Sequence, residues 1–200
     1  MAEGILNFIK VVVTILLLPL VYAGVMGLYP HLEHYPENAG EFFGYGAAGF
    51  LLIFLFVYQF WGIYEAGRKI VGSMFAFAVP FDKFLSNSIP FFTTVILLVL
   101  FIVRRFLNHT EYTHYFIFFA GFTLAMHVLL TAQDLQSQEE GVFRPGYFFN
   151  ITLAVLINCV IVILLLDLVF ERFTLIKFIN QTYGVAMDLY QQAFRLLAHR

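Results

Sequence analysis

Apolar runs of about 18 residues or more recur along this chain, among them VVVTILLLPLVYAGVMGLY and FFNITLAVLINCVIVILLL. A helix of that length crosses the ~30 Å hydrocarbon core of a bilayer, and a spanning helix satisfies its own backbone hydrogen bonds. Composition agrees: 61% of the 200 residues are hydrophobic and only 12% are charged, about half the charged share of a soluble domain. The expected fold is all-α, a polytopic helical membrane protein. Five to six membrane-embedded segments fill residues 1–172, and a C-terminal amphipathic helix fills 173–200.

The expected spans are about 5–28, 42–64, 89–106, 112–132 and 147–170. Lys10 followed by an apolar run and Val21-Tyr22-Ala23 also fits a signal peptide, but the run is read as a retained first span. The short apolar piece 70–81 decides the topology. With five spans, five cations face one side and six the other. If 70–81 crosses, Lys10, Arg68, Lys69, Arg104, Arg105, Arg172, Lys177, Arg195 and Arg200 share one side, against Lys83 and Arg144. That bias favours six segments with both termini cytoplasmic. The lack of an Arg/Ser-rich leader points to a bacterial inner membrane.

After the last span, Ile176, Ile179, Tyr183, Met187, Tyr190, Phe194 and Leu197 recur at intervals of three and four. This is the stripe of an amphipathic helix. It requires a cover: the membrane surface, the chain's own bundle, or a partner helix.

The chemistry-bearing positions are few. The net charge of −2 offers no basic surface for nucleic acid. Cys159 is alone and suits a core position. His31 and His34 flank Glu33 in the first loop, and His109 and His114 flank Glu111 later. Such pairs can chelate a metal if the topology brings them to one face. Otherwise they are interfacial groups beside Tyr29, Tyr35, Tyr112 and Tyr115. His127, Asp134, Asn158 and Asp167 are polar candidates within apolar surroundings. Of these, His127 reads as a hydrogen-bonded packing residue. Asp167 is either functional, as intramembrane carboxylates tend to be, or reaches the interface near Glu171 and Arg172. Gly44, Gly46 and Gly49 with Ala47 and Ala48 form a small-residue face for close helix packing.

Residues 64–68 read Tyr-Glu-Ala-Gly-Arg. In an HExxH helix two histidines one turn apart bind zinc, and the glutamate between them is the base. Here Glu65 holds the glutamate position, while Tyr64 and Arg68 replace the ligands. Arginine is always charged and cannot bind zinc. With Gly67 and Gly72, the stretch SNSIPFFTTVILLVL, and Asp134, Gly146, Tyr147, Phe148 and Asn158 further on, residues 55–165 resemble site-2-type integral-membrane zinc metalloproteases. The resemblance implies a pseudoenzyme, with Asp134 in the place of the family's third ligand. Without it, Glu65 and Arg68 read as an i,i+3 ion pair ending a span.

The first functional reading is a non-catalytic membrane subunit without cofactors, packed against lipid and against other membrane subunits or further copies of itself. A second is a transporter or ion-handling protein using Asp167, Glu65 and the histidines. A third is a metalloprotease-like enzyme with non-standard ligands.

Overall fold

The computed structural model describes residues 2–57, 59–78, 82–107, 111–138 and 144–198. Among them there is no strand. The helices are α1 (Ala2–Leu32), α2 (Ala39–Phe56), α3 (Trp61–Met74), α4 (Asp82–Ser88), α5 (Phe91–Ile102), α6 (Thr113–Ser137), α7 (Pro145–Phe170) and α8 (Leu175–Ala198). A 3-10 turn, Ala76–Ala78, follows α3, and a π-helical turn, Val103–Leu107, extends α5. Among the described residues four helices are long and apolar enough to cross a membrane: Gly4–Leu32 in α1, then α2, α6 and α7. The all-α expectation holds, and these lengths are compatible with an integral membrane protein.

The tightest joint lies between α2 and α6. A Cβ on Gly46 would collide with the Phe118 backbone, and a Cβ on Gly121 with the Phe43 carbonyl. Glycine at both points lets the two backbones touch. Of the anticipated small-residue face, Gly46 bears this contact, and a Cβ added at Gly49 or Gly44 would stand 3.4 Å from the Phe118 or Tyr29 ring, ordinary contact. Beside the joint, Phe50 is fully buried, with ring centroids 5.2 Å from Phe122 and 5.4 Å from Phe60.

The 42–64 span is two helices rather than one. α2 stops at Phe56, Val57 is extended, and α3 begins at Trp61. The break returns Phe60 to Phe50 and Phe122, so α3 continues along α6 instead of leaving the bundle.

The described residues on either side of the 70–81 piece meet the same end of α6. Arg68 pairs with Asp134, and the Asn87 carbonyl accepts from Thr131, three residues away on the same helix. The chain between therefore leaves and returns to one end of the bundle. Positions 79–81 of that piece lie outside the described residues. From there α5 runs antiparallel to α6, with Thr93 at Thr123 and Arg104 at Thr113.

α8 does not lie flat across the end of the bundle. Phe178 meets Gly27, Thr182 meets Gly24, and Tyr190 donates to the Leu16 carbonyl. These pairs run in opposite directions along the two chains, so α8 is antiparallel to α1. Its 24 residues cover about 36 Å.

Two glycine substitutions should separate close contact from open surface. Gly121→Leu should destabilise by about 3 kcal/mol or more, as overpacking against backbone does. Gly184→Ala, with nothing within 4 Å of the new methyl, should stabilise by roughly 0.5–1 kcal/mol. Reversible unfolding in detergent micelles measures both.

Candidate functional site

Two polar joints stand out, one at each end of the bundle. The first is built on the Tyr64–Arg68 turn of α3. Helical spacing puts Tyr64 and Arg68 on one face, one turn apart. The Tyr64 hydroxyl lies 3.2 Å from the Thr131 hydroxyl, and the Arg68 guanidinium pairs with the Asp134 carboxylate. Gln138 donates to the same carboxylate at 2.8 Å. The Arg68 guanidinium also sits 5.9 Å from the centre of the Tyr64 ring. His127 lies below, 6.0 Å from Tyr64 between ring centres. One of its ring nitrogens bonds to the Asn87 backbone, and Nε2 is buried without a partner among the described residues. Gly67 provides the approach for Phe91 and Phe92.

Glu65 points the other way. It pairs with Lys69 at 3.0 Å, an i,i+4 contact on the exposed side of α3, and Lys69 holds its carboxyl below the usual range. The expected Glu65–Arg68 pair is thus replaced by two separate pairs. The reason is geometric: Arg68 faces α6, where a buried carboxylate requires a cation, and Glu65 does not.

The second joint gathers residues far apart in sequence. Asp167, near the end of α7, is buried. Its carboxylate accepts from the Tyr35 hydroxyl at 2.7 Å, the Thr174 hydroxyl at 2.7 Å, the Thr174 amide at 2.7 Å and the Leu175 amide at 2.8 Å. Those amides open α8, so Asp167 caps a helix that follows its own. An anion there satisfies orphan N–H groups and complements the helix dipole. Burial and the neighbouring carboxylate push the Tyr35 phenol well above its ordinary range, so it remains a donor. His31 Nε2 lies 2.9 Å from the Thr174 hydroxyl, and Lys177 Nζ lies 3.1 Å from His34 Nε2. Asp167 is therefore buried with its oxygens committed to the cap.

His31, His34 and His114 lie at one end of the bundle, whereas the six-segment expectation put the two histidine clusters on opposite faces. They still do not converge. His31 and His34 face α8, whereas His114 packs on Phe42 and Tyr115. His109 lies outside the described residues. Among the described residues no three His, Cys, Asp or Glu side chains form a metal-binding group. Asn158 is buried with its Oδ1 unpartnered among those residues, so this oxygen does not form the expected interhelical bond. Cys159 is a buried free thiol, as expected for a core position.

The α8 stripe divides. The face against α1 is Leu175, Phe178, Thr182, Ala186 and Leu189, one position from the stripe read in the sequence. Ile176, Ile179, Tyr183, Met187 and Phe194 are exposed, and Tyr190 is half-buried at α1. The Leu197 side chain lies outside the described set. The sequence reading missed Tyr35, Thr131, Thr174 and Gly121. Thr174 follows an apolar helix end by four residues, a spacing that suits a cap. Nothing local marks the other three.

No family model, curated protein or solved structure matches the chain.

A double-mutant cycle tests the first joint. Asp134→Leu alone should destabilise by about 3 kcal/mol, because it strands Arg68 in a mostly buried position. Combining it with Arg68→Met should recover a large part of that loss, read as a positive coupling in equilibrium unfolding. At the second joint, Asp167→Leu should cost about 2 kcal/mol or more, because it strands the amides and hydroxyls that the carboxylate satisfies. Limited proteolysis should then cut within α8 first.

Proposed function

We propose that this chain is a non-catalytic integral-membrane subunit that docks a helix of another membrane protein along α8. One observation carries the reading. α8 runs beside α1 at the depth of the spanning helices, yet it bears an exposed polar stripe: Lys177 meets His34 and Gln181 meets His31 at one end, and the rest is uncovered among the described residues. Lys177, Asn180, Gln181, Asp188, Gln191, Gln192 and Arg195 are all exposed, and the exposed apolar stripe lies beside them. Asp188 has no ion pair among the described residues. A carboxylate facing lipid near the middle of a bilayer costs roughly 2.5–3.5 kcal/mol on insertion scales. A polar helix from a partner removes that cost, and the adjoining apolar stripe adds buried area.

A second copy of the chain is the weaker occupant. A two-fold axis along the membrane normal sets the same patch against itself, which would oppose Asp188 to Asp188 and Lys177 to Lys177. A different subunit with a cation facing Asp188 avoids this.

The direction of α8 also changes the charge count. Among the described residues, Lys10, Arg68, Lys69, Lys83, Arg144 and Arg195 fall at one end, against Arg104, Arg105, Arg172 and Lys177 at the other, six to four. That bias favours both termini in the cytoplasm, in a bacterial inner membrane, now with α8 rather than 70–81 as the returning segment.

The first joint fits this reading as a packed hinge point between α3 and α6. It encloses about 10 Å³, room for one water at most, which favours a structural contact over an ion pathway. Positions 64, 68 and 134 meet there, and these are the places where the resemblance to site-2-type proteases puts metal ligands. We take the arrangement as a lost zinc site in which Arg68 supplies the positive charge that the metal would have supplied. Glu65 facing away accords with lost catalysis.

Photocrosslinking residues introduced at Ile179 and Asp188 should yield a discrete adduct with another membrane protein in native membranes. The same residue at Leu164 on α7 should yield none. Asp188→Leu should abolish the adduct formed from position 179. Only lipid adducts at both α8 positions, unchanged by Asp188→Leu, would overturn the proposal. Bound zinc in the purified protein would overturn the lost-site reading.

A further inference from the structure

An open groove of about 720 Å³ lies between α5, the end of α7 and the start of α8. Its polarity is ordered along its length. Phe101, Leu164 and Leu168 form the inner part, toward the middle of the bundle, and Ile176 and Phe173 flank the outer part. Arg105, Glu171 and Arg172 stand at the outer end. The volume is within the ordinary range for a site that takes a small molecule.

Two backbone features put the cations there. The π-helical turn Val103–Leu107 carries Arg104 and Arg105 in opposite directions. π-helical turns of this kind often mark functional sites. Arg104 turns inward: it pairs with Glu37 at 2.7 Å and covers the Phe170 ring at 4.7 Å. Arg105 turns out to the groove, where it meets Glu171 at 3.2 Å. Glu171 ends α7 in the left-handed region, φ 52°, and this reversal sets Arg172 on the same rim. Arg172 is exposed and has no ion pair among the described residues. Asp167, at the floor, is fully occupied by its four donors, so its carboxylate is already engaged where a ligand would sit. The groove therefore carries two cations, Arg105 and Arg172, and two carboxylates, Glu171 at the rim and Asp167 at the floor; Glu171 pairs with Arg105, Asp167 is held by neutral donors, and the Arg172 guanidinium has no ion pair among the described residues.

We infer that this groove binds one anionic phospholipid. An acyl chain lies along Phe101, Leu164 and Leu168, and the phosphate accepts from Arg172 and Arg105. The order from apolar interior to cationic end is that of a single lipid molecule seen from chain to headgroup. Cationic pockets between spanning helices at the membrane boundary take such headgroups, and the planar guanidinium matches phosphate oxygens in pairs. The Arg172 guanidinium, which has no ion pair among the described residues, favours a lipid with net negative charge over a zwitterion, whose own cation would meet it. The inference does not depend on what covers α8.

Native mass spectrometry of the full chain in neutral detergent tests it, with phosphatidylglycerol, phosphatidylcholine of the same chains, and inorganic phosphate as probes. Phosphatidylglycerol should be retained at concentrations at least tenfold lower than phosphatidylcholine. Arg172→Gln should erase most of that preference. Leu164→Trp, which fills the inner groove and leaves both arginines, should reduce retention of either lipid. Thermal unfolding confirms that each variant is folded; Arg105→Gln replaces Arg172→Gln if the latter fails. Equal retention of the two lipids, or unchanged retention in both variants, overturns the proposal. Displacement of phosphatidylglycerol by equimolar inorganic phosphate would assign a simple anion site and overturn it as well.

Discussion

Two glycines govern the centre of this protein. Gly46 and Gly121 let α2 and α6 approach until backbone meets backbone. At that separation Phe50 can reach Phe122, and Phe60 can fold back over both. The return of Phe60 breaks the second span and aims α3 along α6. Only because α3 takes that course do Tyr64 and Arg68 meet Thr131 and Asp134. A larger side chain at either glycine would push α6 away, and the ion pair would have no partner to face.

At the opposite end a single carboxylate has a comparable role. Asp167 terminates one helix and caps the next, so it fixes the angle at which α8 leaves α7. Tyr35, His31 and Thr174 tie the same point to the end of α1. α8 then has no choice but to run back beside α1. That course leaves its polar stripe exposed beside α1, and it moves Arg195 to the end where Lys10 lies. The groove with the cationic rim is formed by the same corner, between the π-helical turn and the reversal at Glu171.

Much of the architecture was legible in the apolar runs. Three of the expected spans, 5–28, 112–132 and 147–170, lie inside α1, α6 and α7 with modest changes at their ends, because helix length in lipid is set by hydrocarbon thickness. The 42–64 span failed because hydropathy cannot register a backbone reversal among phenylalanines. For the 70–81 piece, charge counting assumed that the C-terminal arginines remain on the side where the last span ends, whereas α8 runs back beside α1. For the polar residues, type was readable and pairing was not. Asp134 and Asp167 were both marked as costly to bury, yet their partners lie 66 and 132 positions away, at Arg68 and Tyr35.

The sequence by itself determined that the chain is helical, that its helices suit a bilayer, and that residues 64–68 lack the two histidines of an HExxH zinc site. These follow from side-chain chemistry and from periods of three to four residues, which are local properties. Only the tertiary structure decided which face of α8 is covered, which carboxylate meets which cation, and where His31, His34, His114 and His127 lie. Those outcomes depend on how closely backbones approach and where the chain turns, and both are set by contacts between residues distant along the chain.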